Sequence, residues 1–595
     1  MVDVALLPDP GVFTGCVNVV VDGADKFGPL SYVLEGGMAV ALGAGVRVPF
    51  GDTKPRTGTV VGPGDPSIAT RGVLEILGPR TNAADITYAN VVAARYGVKA
   101  SVMVARLSPA RGLSDAPRPC GPVVRVEANE DPCDNWDELC VDDARWRYLL
   151  RAPLIDPAAL AAAEAQRLYN DAYDKSLTDG VRAITDKGLP APGGLGLPQV
   201  LVVCPSVELV AAVCAQFSSG AERVDAGARK GAASALRAGT LTVAVVTRAG
   251  ATYTAPGLVG IVIVEEGHPG HVEARSPHTN ARAVAEERAH IQGLALSVIG
   301  TFPTTAALGE NVAVLAAGSP EEGWPDTTLV DRTAVATYDR DVPPELFRII
   351  DDTVRAGASP TVVVESRPAA RLCGGCSVRR ACGRCSRSGC THVESRSCAC
   401  GATRVFWAGW DAQRVSSMFG PRVSVATFSD LVAAITAAGG VGDLGTVVIL
   451  DIDPALRFPA LDANAGAARL VLLAAAAAGP GGHLVVGTSL PNHPLLVDLL
   501  VTCDPYQPAM RALINAAEVG LAPYGHLVNI IVARDTAPAT GTWPGRILGP
   551  QRLTDGTWRV LVIATPDEVD DLAKRLAILT RRGKATVTWT STGRA

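Results

Sequence analysis

Val200-Leu201-Val202-Val203 is an unbroken apolar run, and apolar residues continue at helical spacing through Val207–Phe217. A short β-branched run without polar alternation reads as a strand buried on both faces. Leu241–Val246, Gly260–Val264 and Ala295–Ile299 have the same texture. Buried strands separated by helical stretches predict a parallel, doubly wound sheet. Thr361–Val364, Val423–Ala426, Thr446–Leu450 and Leu484–Gly487 form a second such set and predict a second lobe. The chain therefore reads as α/β.

The flanks read differently. Val17–Val21, Ala39–Leu42, Val46–Gly51 and Gly58–Gly62 are short β-like segments set off by glycine, with a helix expected over Ile86–Tyr96. They predict a β-rich domain over residues 1–105. Residues 106–145 lack periodicity and read as a linker. The lobes then occupy 146–330 and 331–500, and 501–595 reads as a small α+β domain. That tail offers helices over Gln507–Val519 and Pro566–Thr580 with strands at His526–Val532, Trp558–Ile563 and Ala585–Thr590.

Composition sets the bounds. At 595 residues, 48 % apolar and 19 % charged, the chain can bury several cores. A net charge of −5 gives no global attraction to nucleic acid, so such binding must be local. The apolar run 471–478 is too short to span a bilayer, and the start lacks the pattern of a signal peptide. A cytoplasmic protein without a membrane partner is expected.

Inside the second lobe stand Cys373-x2-Cys376, Cys382-x2-Cys385, Cys390-x-His392 and Cys398-x-Cys400. Zn²⁺ takes four S/N ligands in a structural site, so these eight side chains suffice for two closed sites without an open position. A disulfide framework is the alternative, and it needs an oxidising compartment. Seven arginines, Arg367, Arg371, Arg379, Arg380, Arg384, Arg387 and Arg396, stand here against Glu394 alone. A basic surface of this kind suits a phosphate backbone. His268, His271 and His278 lie close together but read as a solvated loop, not as a further metal site.

Several motifs, in order, resemble the PriA (primosomal protein N-prime) family of replication-restart helicases. Val46-Arg47-Val48-Pro49-Phe50-Gly51 with Gly58-x-Val60 resembles its V-x-V-P-F-G…G-x-V. Val246-Thr247-Arg248-Ala249 with Ala255-Pro256 resembles its G-T-R-S-A…A-P, and the stretch Gly260–His268 resembles its strand and acidic box. Ala274–Pro277 with Ala281-Arg282, the cysteine pairs, Asp451-x-Asp453 and Pro491–Leu495 follow in sequence. The resemblance implies two helicase-like lobes, with a two-zinc insertion at 367–404 in the second. It further implies an N-terminal domain that grips the 3′ end of DNA. Cys373, Cys376, Cys398 and Cys400 would share one ion, and Cys382, Cys385, Cys390 and His392 the other. Tyr32 would stack a terminal base, with Arg47, Lys54 and Arg56 on phosphate near it. Arg371, Arg379, Arg380 and Arg384 would contact DNA from the zinc module. Implied partners are forked or single-stranded DNA, other restart and replisome proteins, the machinery that loads the replicative helicase, and single-stranded-DNA-binding protein. A nucleoid-associated location follows.

The departures from the family concern the motor. A phosphate-binding G-x-x-x-x-G-K-[ST] loop is absent from the sequence; its place is taken by Arg145–Arg167, which contains prolines and no glycine. Gly193-Gly194-Leu195-Gly196 reads as a turn, and Glu265-Glu266-Gly267-His268 as a surface loop that keeps two carboxylates. Where an arginine-bearing motif should stabilise transferred phosphate, Ala474–Gly482 carries no arginine; Arg469, upstream, reads as solvated. The pattern matches a divergent branch of the family that keeps the fold and lacks ATPase motifs, so no catalytic or nucleotide-binding residue is expected. The competing expectations are an active ATP-dependent 3′–5′ helicase with an unrecognised nucleotide site, and a zinc scaffold that binds proteins only.

Overall fold

The computed structural model describes residues 12–51, 54–96, 98–107, 124–125, 137–138, 146–187, 197–224, 231–274, 278–308, 312–317, 323–333, 342–364, 370–373, 400, 405–408, 410–438, 440–457, 463–532, 543–553, 556–581 and 585–591. The chain divides into two compact units. One comprises Met1–Leu150, Pro157–Ala317 and Met510–Ala595, the other Arg151–Asp156 and Gly318–Ala509.

The first unit opens with strands β1 (Cys16–Val21), β2 (Leu30–Val33), β3 (Ala44–Val48), β4 (Arg56–Pro63) and β5 (Glu75–Pro79), in the sheet order β2-β1-β4-β3-β5. Neighbouring strands in this sheet pair antiparallel. An isolated bridge between Val33 and Gly72 brings the two ends of the sheet toward each other. Alternate valines (Val17, Val19, Val46, Val48, Val60) face one core. Gly58 is required where β4 crosses β1, because a Cβ there would lie 2.5 Å from Val19 Cγ1. Helix α1 (Ala83–Arg95) follows, capped by the Asn82 side chain on Asp85 N. It carries Asp85 to a fully buried contact of 2.9 Å with Arg288.

The first lobe contains β6 (Trp146–Arg151), α2 (Pro157–Lys187), β7 (Gln199–Cys204), α3 (Val207–Ala215), β8 (Ala221–Arg223), β9 (Val243–Thr247), β10 (Leu258–Val264), α4 (Ala281–Gln292), β11 (Ala295–Gly300) and β12 (Val312–Ala317). Its eight-stranded sheet runs β8-β9-β7-β10-β11-β6-β12, then Asp137–Glu138. From β8 through β6 the pairs are parallel, and all six residues of β7 are buried. Two details differ from the sequence reading. The helix expected to reach Phe217 stops at Ala215, and Phe217–Ser219 turns into a strand paired with Val124–Arg125. Trp146–Arg151, which the sequence pattern does not mark as a strand, is a strand of the parallel sheet. Its period was masked by Arg147 and Arg151.

In the second unit lie β13 (Asp326–Asp331), α5 (Pro344–Arg355), β14 (Thr361–Val364), the hairpin β15 (Ala370–Cys373) with β16 (Val405–Ala408), β17 (Ser424–Thr427), β18 (Thr446–Ile449), α6 (Ala463–Ala478) and β19 (His483–Thr488). A five-stranded sheet in the order β13-β19-β18-β14-β17 is parallel throughout. Val330, Leu346, Val362, Val448 and Val485 share its core.

The C-terminal segment contributes β20 (His526–Val532), β21 (Arg546–Arg552), β22 (Trp558–Ala564), α7 (Val569–Arg581) and β23 (Ala585–Ser591) to the first unit. They form a four-stranded antiparallel sheet in the order β21-β22-β20-β23. The molecule is thus a mixed α/β chain with two largely parallel sheets and a β-rich N-terminal region. Among the described residues no helix is long and apolar enough to cross a membrane.

Candidate nucleic-acid interface and the acidic loops

The β3–β4 connection gathers three of the expected DNA-binding cations. Val48 pairs with Arg56, so Pro49-Phe50-Gly51 and Lys54 form the tip of the hairpin. Gly51 turns the chain at φ +62, a left-handed value that glycine adopts without a Cβ penalty. Asp22, Arg47, Lys54, Pro55, Arg56 and Thr57 line an open groove of about 530 Å³. Arg47 meets Glu75 at 3.1 Å, but both are half-exposed and the pair is weak. The Asp22 carboxylate accepts from Arg80 Nη1 at 3.0 Å and from Thr57 Oγ1 at 2.5 Å. Its charge is therefore matched by Arg80, which leaves Lys54 and Arg56 to give the groove a positive field. Arg56 also stacks over the Phe50 ring at 4.8 Å.

Tyr32 does something other than expected. It is 4 % exposed, packed in the N-terminal core, and its hydroxyl donates to Pro49 O at 3.1 Å. Burial pushes its phenol pKa up against the opposing pull of Arg71. A buried ring cannot offer its face to a base, so Tyr32 serves as the anchor of the Pro49-Phe50 turn. Sequence reasoning missed Asp22 as a lining residue and Phe50 as the ring beneath Arg56; the aromatic in the turn was the available signal for the second.

Of the expected zinc ligands, Cys376, Cys382, Cys385, Cys390, His392 and Cys398 lie outside the described residues, as do Arg379, Arg380 and Arg384. Cys373 ends β15 with its backbone opposite Val405, and Arg371 lies opposite Trp407. Cys400 is exposed. Val405, opposite Cys373, comes five residues after Cys400 in the chain.

The turn after β6 has a polarity opposite to that of a phosphate cradle. Such a cradle points backbone N–H groups inward. Here the carbonyls point inward instead: Arg151, 2 % exposed, donates from Nη1 to Ala152 O at 3.3 Å, Pro153 O at 3.0 Å and Ile155 O at 3.0 Å. Leu154 N donates to Gly323 O and Ile155 N to Ala152 O, while Pro153 and Pro157 have no amide hydrogen. The polarity of this turn is that of a cation site, and its own arginine fills it.

The two carboxylates after β10 part company. Glu265 adopts φ +57, an unusual value for a residue with a Cβ. Glu266 is buried and meets Arg282 Nε at 3.1 Å, while Thr304 Oγ1 donates to it at 2.7 Å. Arg282 in turn holds Glu286 at 2.6 Å. The expected surface loop is therefore half core, and Glu266 is a member of a closed ion-pair network.

The histidines that follow are structural as well. A carbonyl can only accept, so His271 Nε2 carries the proton it shares with Val264 O at 2.7 Å. His271 is fully buried, and burial brings its imidazole down to about 4. Gly270 N donates to His268 Nδ1 at 2.9 Å, and His278 contacts Glu273 O at 3.2 Å. The expected solvated loop thus holds one core histidine and two that are tied to backbone.

In the second unit Asp451 pairs with Arg332 at 2.5 Å. Asp453 accepts from Thr488 Oγ1 at 2.5 Å and from Ser489 N. Burial, the largest single influence, pushes the Asp453 carboxyl up, but the Ser489 hydroxyl, the Thr488 hydroxyl and Ser489 N together outweigh it and hold the group below its usual range. Arg469, expected on a solvated face, is half-buried. No protein-family model matches this chain, and no curated protein matches it either.

Proposed function

We propose that this chain is a PriA-like component of the replication-restart primosome that binds forked or single-stranded DNA at stalled forks and recruits partners without hydrolysing ATP. The observation that carries the reading is the turn after β6. Its carbonyls converge on the guanidinium of Arg151, a polarity opposed to that required by a triphosphate. Glu266, the one carboxylate of the acidic box aimed inward, is already neutralised by Arg282. Neither feature, taken by itself, offers the groups that would hold a triphosphate or activate water at a γ-phosphate.

The groove of Lys54 and Arg56 supplies one DNA contact, and the arginines of the cysteine-rich insertion supply another. We assign two zinc ions to that insertion, with Cys373, Cys376, Cys398 and Cys400 on one and Cys382, Cys385, Cys390 and His392 on the other. This pairing is the one that the family resemblance implies. Expected partners are single-stranded-DNA-binding protein and the proteins that load the replicative helicase, on the nucleoid.

The test is phosphate release by the purified chain with ATP, Mg²⁺ and forked DNA. We expect no DNA-stimulated turnover and a measurable gel shift of the fork. Turnover that disappears in Glu266→Gln would overturn the non-hydrolysing reading, and failure to bind any DNA would overturn the whole.

A further inference from the structure

We infer that Phe27, beside the cationic groove, is a stacking platform for an unpaired base, so that the N-terminal sheet prefers single-stranded DNA to duplex. The inference rests on the DNA-binding reading above and deepens it.

Phe27 is 59 % exposed, although it is one of only ten phenylalanines in the chain. It ends a short 3-10 turn, Asp25–Phe27, pinned by Phe27 N donating to Ala24 O at 3.0 Å and by Lys99 Nζ donating to Lys26 O at 2.6 Å. The ring is thus presented on a fixed backbone. Behind it lies Phe50, with centroids 6.1 Å apart and planes tilted by 58°. Arg56 covers Phe50, and Lys26 Nζ stands 5.3 Å from the Phe27 centroid. Tyr32, through Pro49 O, holds the turn that carries Phe50.

Exposed Phe27, backed by the half-buried Phe50 and with Lys26, Lys54 and Arg56 on the same connections, has the two parts that single strands require. Every base has a π-face to lay on Phe27, and the ammonium and guanidinium groups meet the phosphates on either side. A duplex keeps its bases stacked on each other and can use only the cations. An apolar protein partner would use Phe27 but gain nothing from the cations around it.

The experiment measures affinity of the full chain for a fluorescent oligothymidylate and for a duplex of equal length. Phe27→Ala should weaken single-strand binding roughly 5- to 150-fold, the range expected for one stacked base, and leave duplex binding unchanged. Phe27→Trp should keep the affinity, and the introduced indole should be quenched on adding oligothymidylate. Equal loss on both DNAs, no loss on either, or an unquenched indole would overturn the platform. The double variant Lys54→Glu/Arg56→Glu separates the two readings. If it weakens both DNAs while Phe27→Ala does nothing, the platform falls and the groove stands. If it leaves both unchanged while Phe27→Ala still weakens single-strand binding, the groove falls and the platform stands.

Discussion

Arg282 Nε lies 3.1 Å from Glu266 Oε1, with the two side chains only 5 % and 3 % exposed. The inward carboxylate of the loop after β10 is thereby bonded to helix α4. Breaking a buried pair from one side leaves an uncompensated charge and costs about 3–5 kcal/mol. Arg282→Met should therefore lower the thermal midpoint by roughly 5–15 °C. The double variant Arg282→Met/Glu266→Gln should recover part of that loss in the same melting experiment. An unchanged midpoint in the single variant would mean the pair is not load-carrying.

Acid should destabilise the chain through His271. Its imidazole titrates ordinarily near 6.5, and burial in the folded state brings that down to about 4. Between these values the unfolded chain takes up a proton that the folded one refuses, so stability falls as pH drops from 6.5 toward 4 and is level above 6.5. The full effect is about 3 kcal/mol. His526, brought down to about 3 chiefly by burial and further by Arg95, acts with the same sign. His271→Gln should flatten the acid limb of a stability–pH curve measured by urea unfolding.

Metal content should report the pairing of the cysteines. Purified wild-type chain should hold two zinc ions, Cys373→Ser one, and Cys373→Ser/Cys385→Ser none, by elemental analysis. The reason is that a closed tetrahedral site loses its ion when a thiolate is removed. A wild-type chain with a single ion, or a Cys373→Ser variant with none, would contradict the two-site assignment.

Salt should weaken DNA binding by releasing counterions. Each phosphate contact contributes roughly 0.7–0.9 to the slope of log affinity against log salt. Lys54→Ala/Arg56→Ala should therefore lower that slope by roughly 1.4–1.8, read by titration at several ionic strengths. An unaltered slope would remove the groove from the interface.

Much of this fold was legible because apolar burial is written in the period of the side chains. Thr361–Val364 and His526–Val532 are strands with the bounds their sequence suggested. Val200–Val203 sits inside the fully buried β7. Polar punctuation hid other elements: Trp146–Arg151 is a core strand although arginines interrupt it, because Arg151 satisfies its charge on nearby carbonyls. The candidate groove was half legible. Arg47, Lys54 and Arg56 cluster in sequence around one turn, and a hairpin keeps sequence neighbours together in space. Tyr32 misled, since a tyrosine in a short strand can face either side, and only packing decides which.

The sequence by itself determined the α/β class, the alternation of buried strands and helices, the cysteine spacing and the want of a glycine–lysine phosphate loop, since these depend on the identity and order of residues. Only the tertiary structure decided that Glu266 is spent on Arg282, that Asp85 meets Arg288 and that Phe27 stands out beside Phe50. Those partners are far apart in the chain or differ only in which way a side chain turns. Their meeting depends on the register and packing of whole elements, which a local pattern does not encode.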